Sequence, residues 1–179
     1  MASSSSTGWK IAVLVLRLFT LLFLIASLVL LATNTLTGAA NTLTGDGGGK
    51  VRSKDFYAYR YVLAVEAIGS VYTLVQIPFA VLSIGKKFSK EKVLTTFNLV
   101  SDKIFALLFA TGVGAGFGLT VEIKRVLNAL ERGGGGDSNS FGAVNKFFNK
   151  VQVSTGLLLL ATLCMAALSI GTSIVIYKK

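Results

Sequence analysis

The chain has 179 residues, of which 53% are hydrophobic and only 15% charged, with 18 Lys and Arg against 8 Asp and Glu for a net charge of +10. Soluble domains average about 25% charged residues, so this composition excludes an ordinary soluble globule. With no His, one Cys and no clustered carboxylates, the usual materials of acid–base, thiol and metal chemistry are lacking, and the chain reads as a non-enzyme with no cofactor.

Residues 1–10 are small and polar and read as a disordered cytoplasmic terminus. The first apolar run, 11–32, exceeds the core of a cleaved signal and is interrupted by Arg17, so it reads as a retained membrane anchor. Three more runs, at 57–84, 97–121 and 151–177, are each long enough to cross a bilayer, which takes about 20 apolar residues. The expected fold is therefore all-α: a single four-transmembrane-helix bundle over 11–179, with outer linkers 33–56 and 122–150 and an inner linker 85–96.

The outer linkers are Gly-rich and polar. The first holds a repeat, Asn34-Thr35-Leu36-Thr37-Gly38 followed by Asn41-Thr42-Leu43-Thr44-Gly45, which could seed a hairpin, extend the first helix or be a bare duplication. In the inner linker Lys86, Lys87, Lys90 and Lys92 stand against Glu91 alone, and Lys10, Lys178 and Lys179 fall on the same side. The outer linkers carry more basic residues in total, but diluted by Asp46, Asp55, Glu122, Glu131 and Asp137, so the dense inner cluster places both termini in the cytoplasm. Basic residues beside apolar runs, without interleaved aromatics, imply membrane lipids as the counterpart and no nucleic acid.

Two spans hide charges of opposite sign. Arg17 lies about six residues into the first and Asp102 about five into the third, so a rise of 1.5 Å per residue puts each roughly 8–9 Å below the same surface. Because a lone charge there is costly, an intramembrane ion pair between helices one and three is expected, with snorkelling of Arg17 as the alternative. Lys103 is expected as a further buried ionisable residue in the span, about 100° round the helix from Asp102, with a stem long enough to reach the inner headgroups. Glu66 falls near the midplane of the second span and reads as a neutral, hydrogen-bonded acid in preference to a transport carboxylate.

Gly112, Gly114, Gly116 and Gly118 give the third span two overlapping Gly-x-x-x-Gly frames and the character of a packing spine. Pro78, the only proline, predicts a kink late in the second span, where Gln76 could satisfy freed polar groups. Cys164 lies deep in the fourth span and reads as a small hydrophobe.

Arg17, Tyr59-Arg60-Tyr61, Ile77-Pro78-Phe79, Asp102 and the closing lysines together resemble the plant CASP-like proteins, four-helix relatives of the Casparian strip membrane domain proteins and similar in layout to MARVEL-domain proteins. The resemblance runs from about Trp9 to Lys179 and makes Arg17 and Asp102 the family's intramembrane charges. It implies a multi-pass plasma-membrane scaffold that forms homo- or hetero-oligomers with related proteins and, in the name-giving members, organises a membrane domain and recruits cell-wall-modifying partners. The Thr/Gly-rich first outer linker and the cysteine-free second one depart from those members, so the resemblance is to the broader CASP-like group. A different reading from the buried charges alone is a small transporter or channel using Glu66, Asp102 and Arg17.

Overall fold

The computed structural model describes residues 3–36, 51–52, 55–85, 91–132 and 138–177. Four helices make up nearly all of it: α1 (Ser3–Thr33), α2 (Tyr57–Gly85), α3 (Glu91–Arg132) and α4 (Ser138–Tyr177). Each contains a stretch long and apolar enough to span a bilayer: Ile11–Thr33, Tyr57–Val81, Thr96–Ala129 and Gly142–Val175. Helices are the outcome that lipid enforces, because backbone polar groups in hydrocarbon can be satisfied only within the segment.

The helices close into a ring in chain order. α1 packs on α2 and α4, α2 on α3, and α3 on α4, so α1 and α3 occupy opposite corners, as do α2 and α4. The outward surface is apolar, with Leu22, Ile68, Val71, Leu107, Leu163 and Ile170 all more than half exposed. The interior mixes Leu24, Phe109, Leu158, Ala161 and Met165 with buried polar residues that include Arg17, Glu66 and Asp102. Polar in and apolar out is the pattern expected when acyl chains are the solvent.

Two helices pack through glycines. A methyl group on Gly69 would meet the ring of Phe109, which fixes how closely α2 and α3 approach. A methyl on Gly116 would fall 2.7 Å from Thr155 Oγ1, and one on Gly112 3.3 Å from Leu158 and Val65, so α3 meets α4 along this pair.

The helix limits differ from those expected. Residues 3–10, read as disordered, belong to α1, where Trp9 packs over Gly171 and ties the start of α1 to the end of α4. α3 and α4 also run beyond their expected ends into the second outer linker. Charges from Glu122 onward mark the end of a lipid-soluble stretch but not of the helix, because Leu127, Val144, Phe147, Phe148 and Val151 continue a buried apolar seam between the two. α2 stays helical through Pro78.

The first copy of the Asn-Thr-Leu-Thr-Gly segment enters a strand and does not extend α1, which ends at Thr33. Thr35–Leu36 (β1) pairs antiparallel with Val51–Arg52 (β2), Thr35 opposite Arg52 and Leu36 opposite Val51. Asn34, buried beside this ladder, donates from Nδ2 to the carbonyl of Phe147 at 3.0 Å, holding the ladder against α4. The second copy of the repeat lies outside the described residues, as do Lys86, Lys87 and Lys90 of the inner linker.

Candidate functional site

The interior polar residues gather in two layers. In the first, Arg17 Nη2 of α1 lies 3.1 Å from Asp102 Oδ2 of α3, and both residues are buried, at 5% and 2% exposure. The other carboxylate oxygen, Oδ1, accepts from Tyr72 OH of α2 at 2.7 Å, and Gln76 Nε2, one turn further along α2, donates to that hydroxyl at 2.9 Å. Tyr72 is held for this by stacking on Phe105, with ring centroids 3.7 Å apart and planes 12° from parallel. One carboxylate thus joins three helices.

Arg17 spans the bundle diagonal because its flexible stem is long enough to carry a guanidinium past the helix surfaces to the opposite corner. Attraction across such a pair largely offsets the cost of removing both ions from water, so its main structural effect is to choose partners and rotation. Arg17 Nε and Gln76 Oε1 are buried without a hydrogen-bond partner.

The second layer lies ten residues further along α1, about 15 Å in axial rise. Ser27 Oγ sits against Glu66 Oε1 of α2, 2.7 Å from the carbonyl oxygen of Ser154 in α4 and 2.9 Å from its hydroxyl. Ser154 Oγ in return donates to the carbonyl of Ser27 at 2.8 Å. Glu66 is fully buried, and its Oε2 has no partner.

Between the layers the bundle is apolar. Leu24, Phe109, Leu158, Ala161 and Met165 fill it, each at most 1% exposed. The hydroxyls of Thr20, Ser70 and Thr162, which fall in the same zone, are turned onto their own helices and donate to the carbonyls of Leu16, Glu66 and Leu158 at 2.9, 2.7 and 2.8 Å. Near the far end, Tyr59 OH and Thr120 Oγ1 pair at 2.9 Å across α2 and α3, and half-buried Lys124 reaches Asn149 and Gln152 of α4 at 2.7 and 2.9 Å.

The structure therefore brings Arg17 and Asp102 together and keeps Glu66 apart from them. It corrects two expectations. Lys103 is not a buried ionisable group: it lies about 100° round α3 from Asp102, on the outward side, and is exposed. Nor do all four glycines form one spine. Positions two apart lie about 200° apart round a helix, so while Gly112 and Gly116 face α4, Gly114 and Gly118 are exposed with open space around them. Cys164 is a free thiol, partly buried. Ser27, Ser154 and Tyr72 are site residues that sequence reasoning missed; the available signal was their position as hydrogen-bonding groups within apolar spans.

The chain matches the family model described as the Casparian strip membrane protein domain over residues 6–164. It is 40% identical over 173 residues to CASP-like protein 4D1 of Populus trichocarpa, covering 95% of this chain and 89% of the relative. It is also 34% identical over 177 residues to CASP-like protein 4D2 of Arabidopsis thaliana, covering 99% and 96% respectively. No solved structure matches. The chain belongs to the Casparian strip membrane protein domain family.

Proposed function

We propose that this member of the Casparian strip membrane protein domain family is a non-enzymatic scaffold of the plasma membrane, with both termini cytoplasmic, that associates laterally with copies of itself or with related chains. Organisation of a membrane domain and recruitment of cell-wall-modifying partners would follow from that assembly. The observation that carries this reading is the packed apolar layer between the two polar ones. Transport through Glu66, Asp102 and Arg17 needs a continuous polar path, whereas Leu24, Phe109, Leu158, Ala161 and Met165 separate Glu66 from the ion pair.

Several features support a rigid membrane building block. The helices are tied internally by an ion pair, a serine–carboxyl cluster and glycine contacts, while the outer apolar surface is free to meet lipid or protein. The dense inner lysines support the cytoplasmic placement of the termini. Photobleaching of a fluorescent fusion in plant cells tests the reading. Recovery much slower than that of a monomeric four-helix protein is expected at the plasma membrane; free diffusion as monomers would overturn it.

A further inference from the structure

We infer that Ser27, Glu66 and Ser154 form a proton-binding site in the membrane core, in which the Glu66 carboxyl holds a proton on Oε1 and donates it to Ser27 Oγ. The argument is a count of hydrogens. Of the four oxygen–oxygen contacts in the cluster, the three shortest each need one: Glu66 Oε1 with Ser27 Oγ, Ser27 Oγ with the Ser154 carbonyl, and Ser154 Oγ with the Ser27 carbonyl. The two serine hydroxyls supply two. If Glu66 were a carboxylate, Ser27 would have to serve both its charged oxygen and the Ser154 carbonyl with one hydrogen, leaving two acceptors pressed together.

A proton on Glu66 closes the count. Glu66 then donates to Ser27, Ser27 to the carbonyl of Ser154, and Ser154 to the carbonyl of Ser27. The remaining approach, 2.9 Å between the two hydroxyls, is the longest of the set and is served by sharing the hydrogen of Ser154. The unpartnered Oε2 fits the same state, because a neutral carbonyl oxygen in an apolar site is far less costly than half of a negative charge. The surroundings offer no counter-charge: Arg17 is taken up by Asp102 in the other layer, and Glu122 and Arg125 pair with each other outside it. The bound proton thus becomes a structural element that joins α1, α2 and α4.

Infrared spectroscopy of the full-length chain in lipid vesicles at neutral pH tests this, using glutamate labelled with carbon-13 at the side-chain carboxyl. The expected spectrum has the carbonyl stretch of a protonated carboxylic acid that moves with the label, shifts only slowly in heavy water and disappears in Glu66→Gln. In Ser27→Ala the same band moves to higher frequency, because its hydrogen-bond acceptor is gone. The label separates Glu66 from Asp102 in the wild-type chain, so the result does not depend on Glu66→Gln folding. Glutamate signal confined to carboxylate bands, or an acid band that exchanges at once with solvent, would overturn the assignment.

Discussion

Arg17 and Asp102 join helices that stand at opposite corners of the bundle, so their 3.1 Å contact is a brace across its centre and not a link between neighbours. Removing one partner leaves the other charge buried and uncompensated, a loss of about 3–5 kcal/mol in comparable buried pairs. Asp102→Ala and Arg17→Ala are each expected to lower the unfolding midpoint in detergent and the fraction delivered to the cell surface. The exchanged pair, Arg17→Asp with Asp102→Arg, should recover part of both. An exchange no better than either single change would show that the brace is not what the charges supply.

Tyr72→Phe keeps the ring on Phe105 but removes the donor to Asp102 and the acceptor of Gln76. The expected cost is about 1–3 kcal/mol, the usual range for stranding buried polar groups. A double-mutant cycle with Gln76→Leu checks the link, because once Gln76 is apolar the tyrosine hydroxyl has one fewer neighbour to strand and the second cost should shrink.

The two glycine frames should respond differently to the same change. Gly116→Ala sets a methyl 2.7 Å from Thr155 Oγ1, and the resulting overpacking is expected to destabilise the monomer by about 1–3 kcal/mol. Gly114→Ala and Gly118→Ala meet open space and should leave unfolding of the isolated chain within about 0.5 kcal/mol of wild type. Denaturation in detergent micelles compares all three under one condition.

Ser27→Ala deprives Glu66 of its one hydrogen-bond partner and the Ser154 carbonyl of a donor, whereas Ser154→Ala leaves the Ser27–Glu66 contact in place. Ser27→Ala should therefore be the more destabilising, by about 1–3 kcal/mol. Equal effects of the two would mean that Glu66 does not depend on Ser27. The same denaturation assay reads both variants.

The helical spans were readable from sequence because lipid leaves the backbone no other regular option at such lengths. The Arg17–Asp102 contact was readable for a similar reason: opposite charges at equal depth in an apolar medium have few alternatives. Ser27 and Ser154 gave no comparable signal, since a serine in a membrane helix can bond to its own backbone, as Ser70 and Ser173 do to Glu66 and Ser169. The glycine frames are equivalent in sequence, and only the position of α4 decides that Gly112 and Gly116 face inward. The ends of α3 and α4 were missed because hydropathy reports where lipid stops, while the seam from Leu127 to Phe148 keeps the helices paired beyond that point.

That overlength has a consequence for recognition. Sixteen residues follow Arg17 in α1 and thirty follow Asp102 in α3, so from a shared level α3 continues about 21 Å past the end of the shorter helix at the opposite corner. This overhang carries exposed Val126 and, at its charged end, Arg125 and Arg132. Within the acyl layer, greasy surfaces gain nothing by leaving their solvent, and association depends on shape. Beyond that layer, water expulsion and salt-sensitive attraction both return, so a partner meeting the charged end of α3 would be held by different forces from one meeting its apolar flank.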